Sequence, residues 1–340
     1  MKELRIYFNY QHTDDPWGGA NNFIKLLHRE ISRNPRFRIV TDINDDYDIL
    51  FLNQFSCGPS IHEKKKISLS TIKNLKAGGC ASFFAGLRSG KEKKKIIVRA
   101  VNLQEHSYGL SLKAYFEDRK LIQLLNLADY TIFQSSYQKS IFDDAGYRRQ
   151  KYTIIHNGAN PDLFNLDGKA QWEKGKPLIV VSATASPRKT KNHRIIAAFS
   201  DCKDVQIHHF GTWPAGVDAK KIIQHGFVSH EKMIDVYHNA HVFLHPAIKD
   251  PCPNVLFEAI LAGLPIIYHP GPGSSAEIVK ENGIALNENN LEETVEKVKQ
   301  QYPVLMDSIV KNRNYYSVMR AVQQYIDVFT SFSKAIDMQK

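Results

Sequence analysis

Apolar and polar positions alternate between two periods along this chain. Short runs with few polar breaks, rich in branched and aromatic residues, recur at 4–9, 37–41, 49–53, 96–98, 130–134 and 152–156. They recur again at 178–182, 205–210, 222–228, 241–244 and 264–268. Such runs are the length of buried strands. Between them lie stretches with the 3.6-residue period of amphipathic helices: 22–32, 110–127, 138–145, 194–200, 231–239, 290–301 and 315–332. Strand followed by helix, repeated this often, predicts an α/β protein with parallel sheets. Five or six strands suffice for one sheet, so the chain predicts two domains. Residues 160–176 mix Pro, Gly, Asn and charge with little periodicity and read as the linker. Residues 56–95 carry no clear period.

One stretch, 245–279, is more specific than the rest. A Pro-rich loop holds Asp250, and an apolar run then carries a single acid, Glu258. Asn254 is a good N-cap for a short helix, Gly263 suits the position just past its end, and Pro265 forbids continuation. A helix start offers free N–H groups and a positive dipole end, both favouring an anion. A carboxylate in an apolar helix needs hydrogen-bond donors. Glu258 therefore either caps neighbouring backbone or receives ligand hydroxyls such as a ribose diol, and Asp250 is either a solvated loop acid or part of the same site.

Length and charge add to this. The 340 residues fit two domains. No apolar run approaches the ~20 residues of a membrane helix, and 1–10 reads as a strand rather than a leader. The four cysteines form no CxxC pair, which points to a reducing, cytoplasmic setting without a zinc site or disulfide scaffold. The net charge of +10 suits nucleic acid, an anionic membrane surface or a phosphorylated substrate. Lys64–66 and Lys93–95 are either solvated or in contact with an anionic membrane.

Other residues carry candidate chemistry. Arg188, Lys189 and Lys191 crowd a strand-to-helix loop at a helix start, where cations are unfavourable without an anion between them. Arg188 supplies a planar fork and Lys191 a point charge, a set suited to phosphate. Gly18 and Gly19 precede a helix after the first strand and suit a close phosphate approach, though a plain turn uses the same residues. Arg99, Glu105 and His106 follow the carboxyl end of a strand, where open α/β sheets place their sites. Asp46-Tyr47-Asp48 has the DxD pattern of metal-binding sugar transferases, but it precedes a strand, at the wrong end for a ligand site. His208 and His209 are adjacent in a strand, face opposite sides and cannot share a metal.

The segment Asp250-Pro-Cys-Pro-Asn-Val-Leu-Phe-Glu258-Ala, with Gly263-Leu-Pro265 and 271–277 after it, resembles the Glu-x7-Glu region of glycosyltransferase family 4, retaining group 1 enzymes of the GT-B fold. Gly18-Gly19-Ala20, Ile155-His-Asn157-Gly158-Ala-Asn, the Arg188/Lys191 pair and Gly226-Phe-Val resemble further family motifs in the same order. The resemblance implies two Rossmann-like parallel-sheet domains facing a cleft: 1–165 on the acceptor side, rejoined by about 325–340 of the last helix, and 166–324 on the donor side. It implies a retaining transferase that uses a UDP- or GDP-sugar, with no cofactor and no metal. Asp250, Arg188, Lys191 and His106 would be catalytic. The donor would lie on Gly18, Gly19, Arg188, Lys189, Lys191, Phe227, Val228, Asp250, Pro253, Asn254, Val255, Leu256 and Glu258. Arg99, Glu105 and His106 would take a glycan or lipid-linked acceptor. Asp250 departs from the family, which has Glu there, and Arg188-x-x-Lys191 is shorter than the commonest family spacing. A sugar-nucleotide epimerase of the same fold is the alternative reading. A non-catalytic nucleic-acid binder is disfavoured, because the lysines lack interleaved stacking aromatics.

Overall fold

The computed structural model describes residues 3–10, 19–53, 67–77, 94–109 and 111–337. The chain divides into two compact units, Met1–His156 with Val322–Lys340, and Asn157–Ala321.

The first unit holds six strands: β1 (Leu4–Phe8), β2 (Phe37–Val40), β3 (Ile49–Leu52), β4 (Lys95–Arg99), β5 (Tyr130–Phe133) and β6 (Tyr152–Ile154). They form one parallel sheet in the order β2-β1-β3-β4-β5-β6. Its helices are α1 (Gly19–Arg33), α2 (Leu69–Ala77), α3 (Gln104–Tyr108), α4 (Leu112–Leu127) and α5 (Ser136–Asp144). Crossover helices cover both faces of such a sheet, so its strands need no polar face. All four residues of β3 are buried accordingly.

The second unit repeats the plan with β7 (Leu178–Thr184), β8 (Val205–Gly211), β9 (Ile222–Gly226), β10 (Val242–His245), β11 (Ile266–Tyr268) and β12 (Gly283–Ala285). The order is β12-β11-β10-β7-β8-β9, again all parallel. Helices α6 (His193–Phe199), α7 (His230–Asn239), α8 (Asn254–Leu261) and α9 (Ser275–Val279) lie between them, and α10 (Leu291–Asn312) follows β12. Each sheet reverses its direction of growth once, at β1/β3 and at β7/β10. Crossovers leave such a point on opposite faces, which opens a crevice at the carboxyl ends of the two strands. The last helix, α11 (Val318–Asp337), begins in the second unit and from Val322 belongs to the first. There Tyr325 and Phe329 pack against Phe8, Phe23 and Phe51.

Three features differ from the sequence pattern. Residues 157–165 belong to the second unit: Ala159 and Phe164 are buried in its core, and Ala159 bridges to Ser317. Helix α10 runs through Pro303 rather than ending near residue 301. Buried Tyr302, Leu305, Met306 and Ile309 continue its apolar stripe past the proline, and that burial outweighs the ~3 kcal/mol cost of a mid-helix Pro. Lys94 is buried rather than solvated or lipid-facing. Its Nζ donates to Asp46 Oδ1 at 2.7 Å, while Arg5 bridges Asp46 and Asp48. The DxD acids are thus spent on an ion cluster at the amino edge of the first sheet. Lys64–66 and Lys93 lie outside the described residues.

Candidate functional site

The reversal point of the second sheet gathers most of the expected site residues. The loops after β7 and β10 are tied together across it. Ile248 N donates to Thr190 O at 2.9 Å and Asn192 Nδ2 to Pro246 O at 2.9 Å. That fastening brings Lys191 Nζ to 2.7 Å from Asp250 Oδ2. Burial pushes the Asp250 carboxyl up, but Lys191, then His245 and the Cys252 N–H, outweigh it and hold it below the usual range. The backbone at Asp250 is pinned as well: Ser274 N and Oγ both donate to Asp250 O, and Lys249 N donates to Pro272 O. The Gly/Pro turn at 270–273 is therefore the strut of this carboxylate.

His245 ends β10 beneath this pair. It is 3 % exposed, and its Nε2 finds no hydrogen-bond partner among the described residues. Burial pushes its imidazole down to about 4, so it is neutral at pH 7. Sequence reasoning gave it no role; its position at a strand's carboxyl end was the available signal.

Helix α8 starts without a side-chain cap. Pro253, not Asn254, occupies the N-cap position. Asn254 Oδ1 instead accepts from Asn157 Nδ2 at 2.8 Å, which ties the 157–159 turn to the helix. The first-turn N–H groups thus keep the anion preference inferred from sequence. Glu258 is half-buried on the second turn, and enclosure pushes its carboxyl up to about 7. Gly263 ends the helix at φ +77, where an added Cβ would meet Leu166 Cδ2 at 2.6 Å.

The three cations of the β7–α6 loop are divided. Lys191 turns to Asp250. Arg188 donates through Nε to Ser186 Oγ at 2.9 Å, and with Lys189 and Arg194 it lines a cavity of about 490 Å3. Phe227 follows β9 and is exposed, whereas Val228 packs on the core. His208 and His209 do face opposite sides: His208 Nδ1 lies 2.9 Å from His225 Nε2, and His209 Nδ1 lies 2.8 Å from Ser182 Oγ.

In the first unit, Gly19 opens α1 and Gly18 lies outside the described residues. Arg99, read from the sequence as a candidate acceptor contact, ends β4 and is buried. It is 1 % exposed, bonds Asn53 Oδ1 at 2.9 Å and Gln134 Oε1 at 2.6 Å, and lies over the Phe23 ring. A cation at the end of a central strand is thereby used to position the ends of β3 and β5. Glu105 and His106 sit on α3, whose first N–H groups are held by buried Asp118 of α4.

Residues 177–302 match the family model described as Glycosyl transferases group 1. Among curated protein sequences, none matches the chain. Solved structures share its fold at low identity. Sucrose-phosphate synthase from Thermosynechococcus elongatus aligns over 98 % of this chain and 100 % of its own at 13 % identity, TM-score 0.66. Anabaena Alr3699/HepE in complex with UDP and glucose aligns over 97 % and 100 % at 15 %, TM-score 0.65. The lipopolysaccharide outer core galactosyltransferase WaaB aligns over 96 % and 99 % at 13 %, TM-score 0.65. The two parallel-sheet units therefore have the GT-B architecture.

Proposed function

We propose, proceeding from the match of residues 177–302 to the model of the group 1 glycosyl transferases, that this protein moves a sugar from a nucleoside diphosphate sugar to a hydroxyl acceptor with retention. The observation that carries this reading is the Lys191–Asp250 pair at the β7/β10 reversal, beside an uncapped helix start and the enclosed Glu258. Cations, a helix start with no side-chain cap and a carboxylate that needs hydroxyl donors match, in turn, a diphosphate and a ribose.

In this assignment Glu258 accepts from the ribose hydroxyls. Arg188, Lys189 and Lys191 hold the diphosphate with the amides of Asn254, Val255 and Leu256. Phe227 offers a ring face to the base, and Val228 flanks it. Asp250 faces the donor sugar and fixes Lys191. As the glycosidic bond breaks, negative charge grows on the leaving diphosphate, and preorganised cations stabilise it. The diphosphate takes the acceptor's proton, so no enzyme nucleophile is required. Glu105 and His106 are assigned to a glycan or lipid-linked acceptor. HepE was solved in complex with UDP and with UDP-glucose, which supports a UDP-sugar first in any screen.

Isothermal titration with UDP- and GDP-sugars tests the reading. Micromolar binding of one of them, lost in Glu258→Ala, is the expected result. No binding tighter than millimolar, or equal binding by the variant, overturns it. Transfer that survives EDTA and yields the donor's anomer supports the cation-based, retaining chemistry.

A further inference from the structure

Helix α4 presents an apolar stripe to solvent at its outer end. Leu112, Tyr115 and Phe116 are 80 %, 46 % and 58 % exposed and fall at i, i+3 and i+4, so they share one face. Isolated exposed apolar residues need no explanation, but three together on one helical face do. The aromatic pair is ordered: the rings meet edge to face at 5.6 Å, and Arg119 lies over Tyr115 while donating to its hydroxyl at 2.7 Å. Lys113, Arg119 and Lys120 are exposed around the stripe, and Glu117 is the one half-exposed acid in this turn. Asp118 points inward, buried against the α3 backbone.

We propose that this face of α4 docks on an anionic lipid surface. Charge complementarity selects that occupant: the apolar stripe is rimmed by cations, in a chain of net charge +10. The apolar side chains would enter the headgroup boundary, with the lysines and arginine at phosphate level. No helix among the described residues is long and apolar enough to cross a membrane, so the contact is peripheral. The mechanical link to function is short. The carboxylate of Asp118 on α4 holds the N–H groups of Gln104 and Glu105 at 2.7 and 3.0 Å. Docking would therefore set the Glu105/His106 segment beside the lipid surface, where a lipid-linked acceptor presents its hydroxyl. This last step rests on the transferase reading above; the docking itself does not.

Co-sedimentation of the full chain with phosphatidylglycerol-containing and pure phosphatidylcholine vesicles tests it, with no donor present. Binding to the anionic vesicles is expected, weakened about tenfold or more in Leu112→Ser/Phe116→Ser. Lys113→Glu/Lys120→Glu should weaken it about fivefold per charge, with added salt acting in the same direction. Both pairs are at the surface, and unchanged melting temperature and unchanged UDP-sugar binding confirm the fold. Failure of the wild type to bind anionic vesicles overturns the docking, as does full binding by the Leu112/Phe116 variant. So does a dimer in solution that the same variant dissolves without vesicle binding. Loss of donor binding with intact vesicle binding overturns only the transferase reading.

Discussion

At the scale of single residues, two carboxylates eight positions apart are treated in opposite ways. Asp250 is held ionised by Lys191, whereas burial pushes the Glu258 carboxyl up to about 7. Removing Lys191 leaves Asp250 desolvated with only neutral help, so Lys191→Met should cost about 1–3 kcal/mol in urea unfolding as well as donor affinity. Asp250→Asn/Lys191→Met should recover part of the stability and none of the binding. For Glu258 the sign is reversed. Its folded value lies above the ordinary 4.5, so the folded state binds the extra proton, and stability falls as pH rises from 4.5 through about 7. Glu258→Gln should therefore be more stable than wild type at pH 8, by about 1–2 kcal/mol after solvent screening, and equal to it at pH 4. Donor affinity should run the other way and weaken below pH 7 as the acceptor carboxylate takes up a proton. A melting series and a titration series over pH 5–8 check both.

At the scale of elements, backbone packing is as decisive as side-chain chemistry. The 157–159 turn is pressed on the start of α11, where a Cβ on Gly158 would lie 2.5 Å from Val318 N. The contact is backbone on backbone, so no rotamer change relieves it. Arg320 donates to Asn157 O at 2.9 Å, and Asn157 holds Asn254. Gly158→Ala should destabilise the chain by about 2–4 kcal/mol and weaken donor binding through α8, read by calorimetry and titration on the same sample. This explains why an Asn-Gly turn far from α8 in sequence belongs to its motif set. Its spacing as a turn was legible; the close approach that demands glycine was not, because the contact joins residues over 150 positions apart.

At the scale of the whole molecule, several buried imidazoles make it acid-sensitive. Burial pushes His209, His241 and His245 each down to about 4. In the unfolded chain they protonate near 6.5, so between 6.5 and 4 the unfolded state binds more protons and stability falls as pH drops. About 1.4 kcal/mol per imidazole per pH unit is the upper limit. The melting temperature should fall steeply from pH 6.5 to 5, less steeply in His209→Gln, where the Ser182 hydroxyl keeps a partner.

The sequence by itself determined the βα rhythm, the two sheets, the carboxyl-edge placement of Arg188, Lys191, Asp250 and Glu258, and the end of α8 at Gly263. These follow from local period, turn chemistry and strand polarity, which neighbouring residues encode. Tertiary structure alone decided that Lys191 and Asp250 pair, because 59 residues separate them and only the fastening of two loops joins them. It alone put Pro253 at the cap, because Asn157 claims the Asn254 side chain. It withdrew Arg99 into the first unit, buried Lys94 on the DxD acids, carried α10 through Pro303 and moved 157–165 to the second unit. In each case a long-range packing or pairing energy exceeded a local preference of about 1–3 kcal/mol, and no window of sequence contains the partner that supplies it.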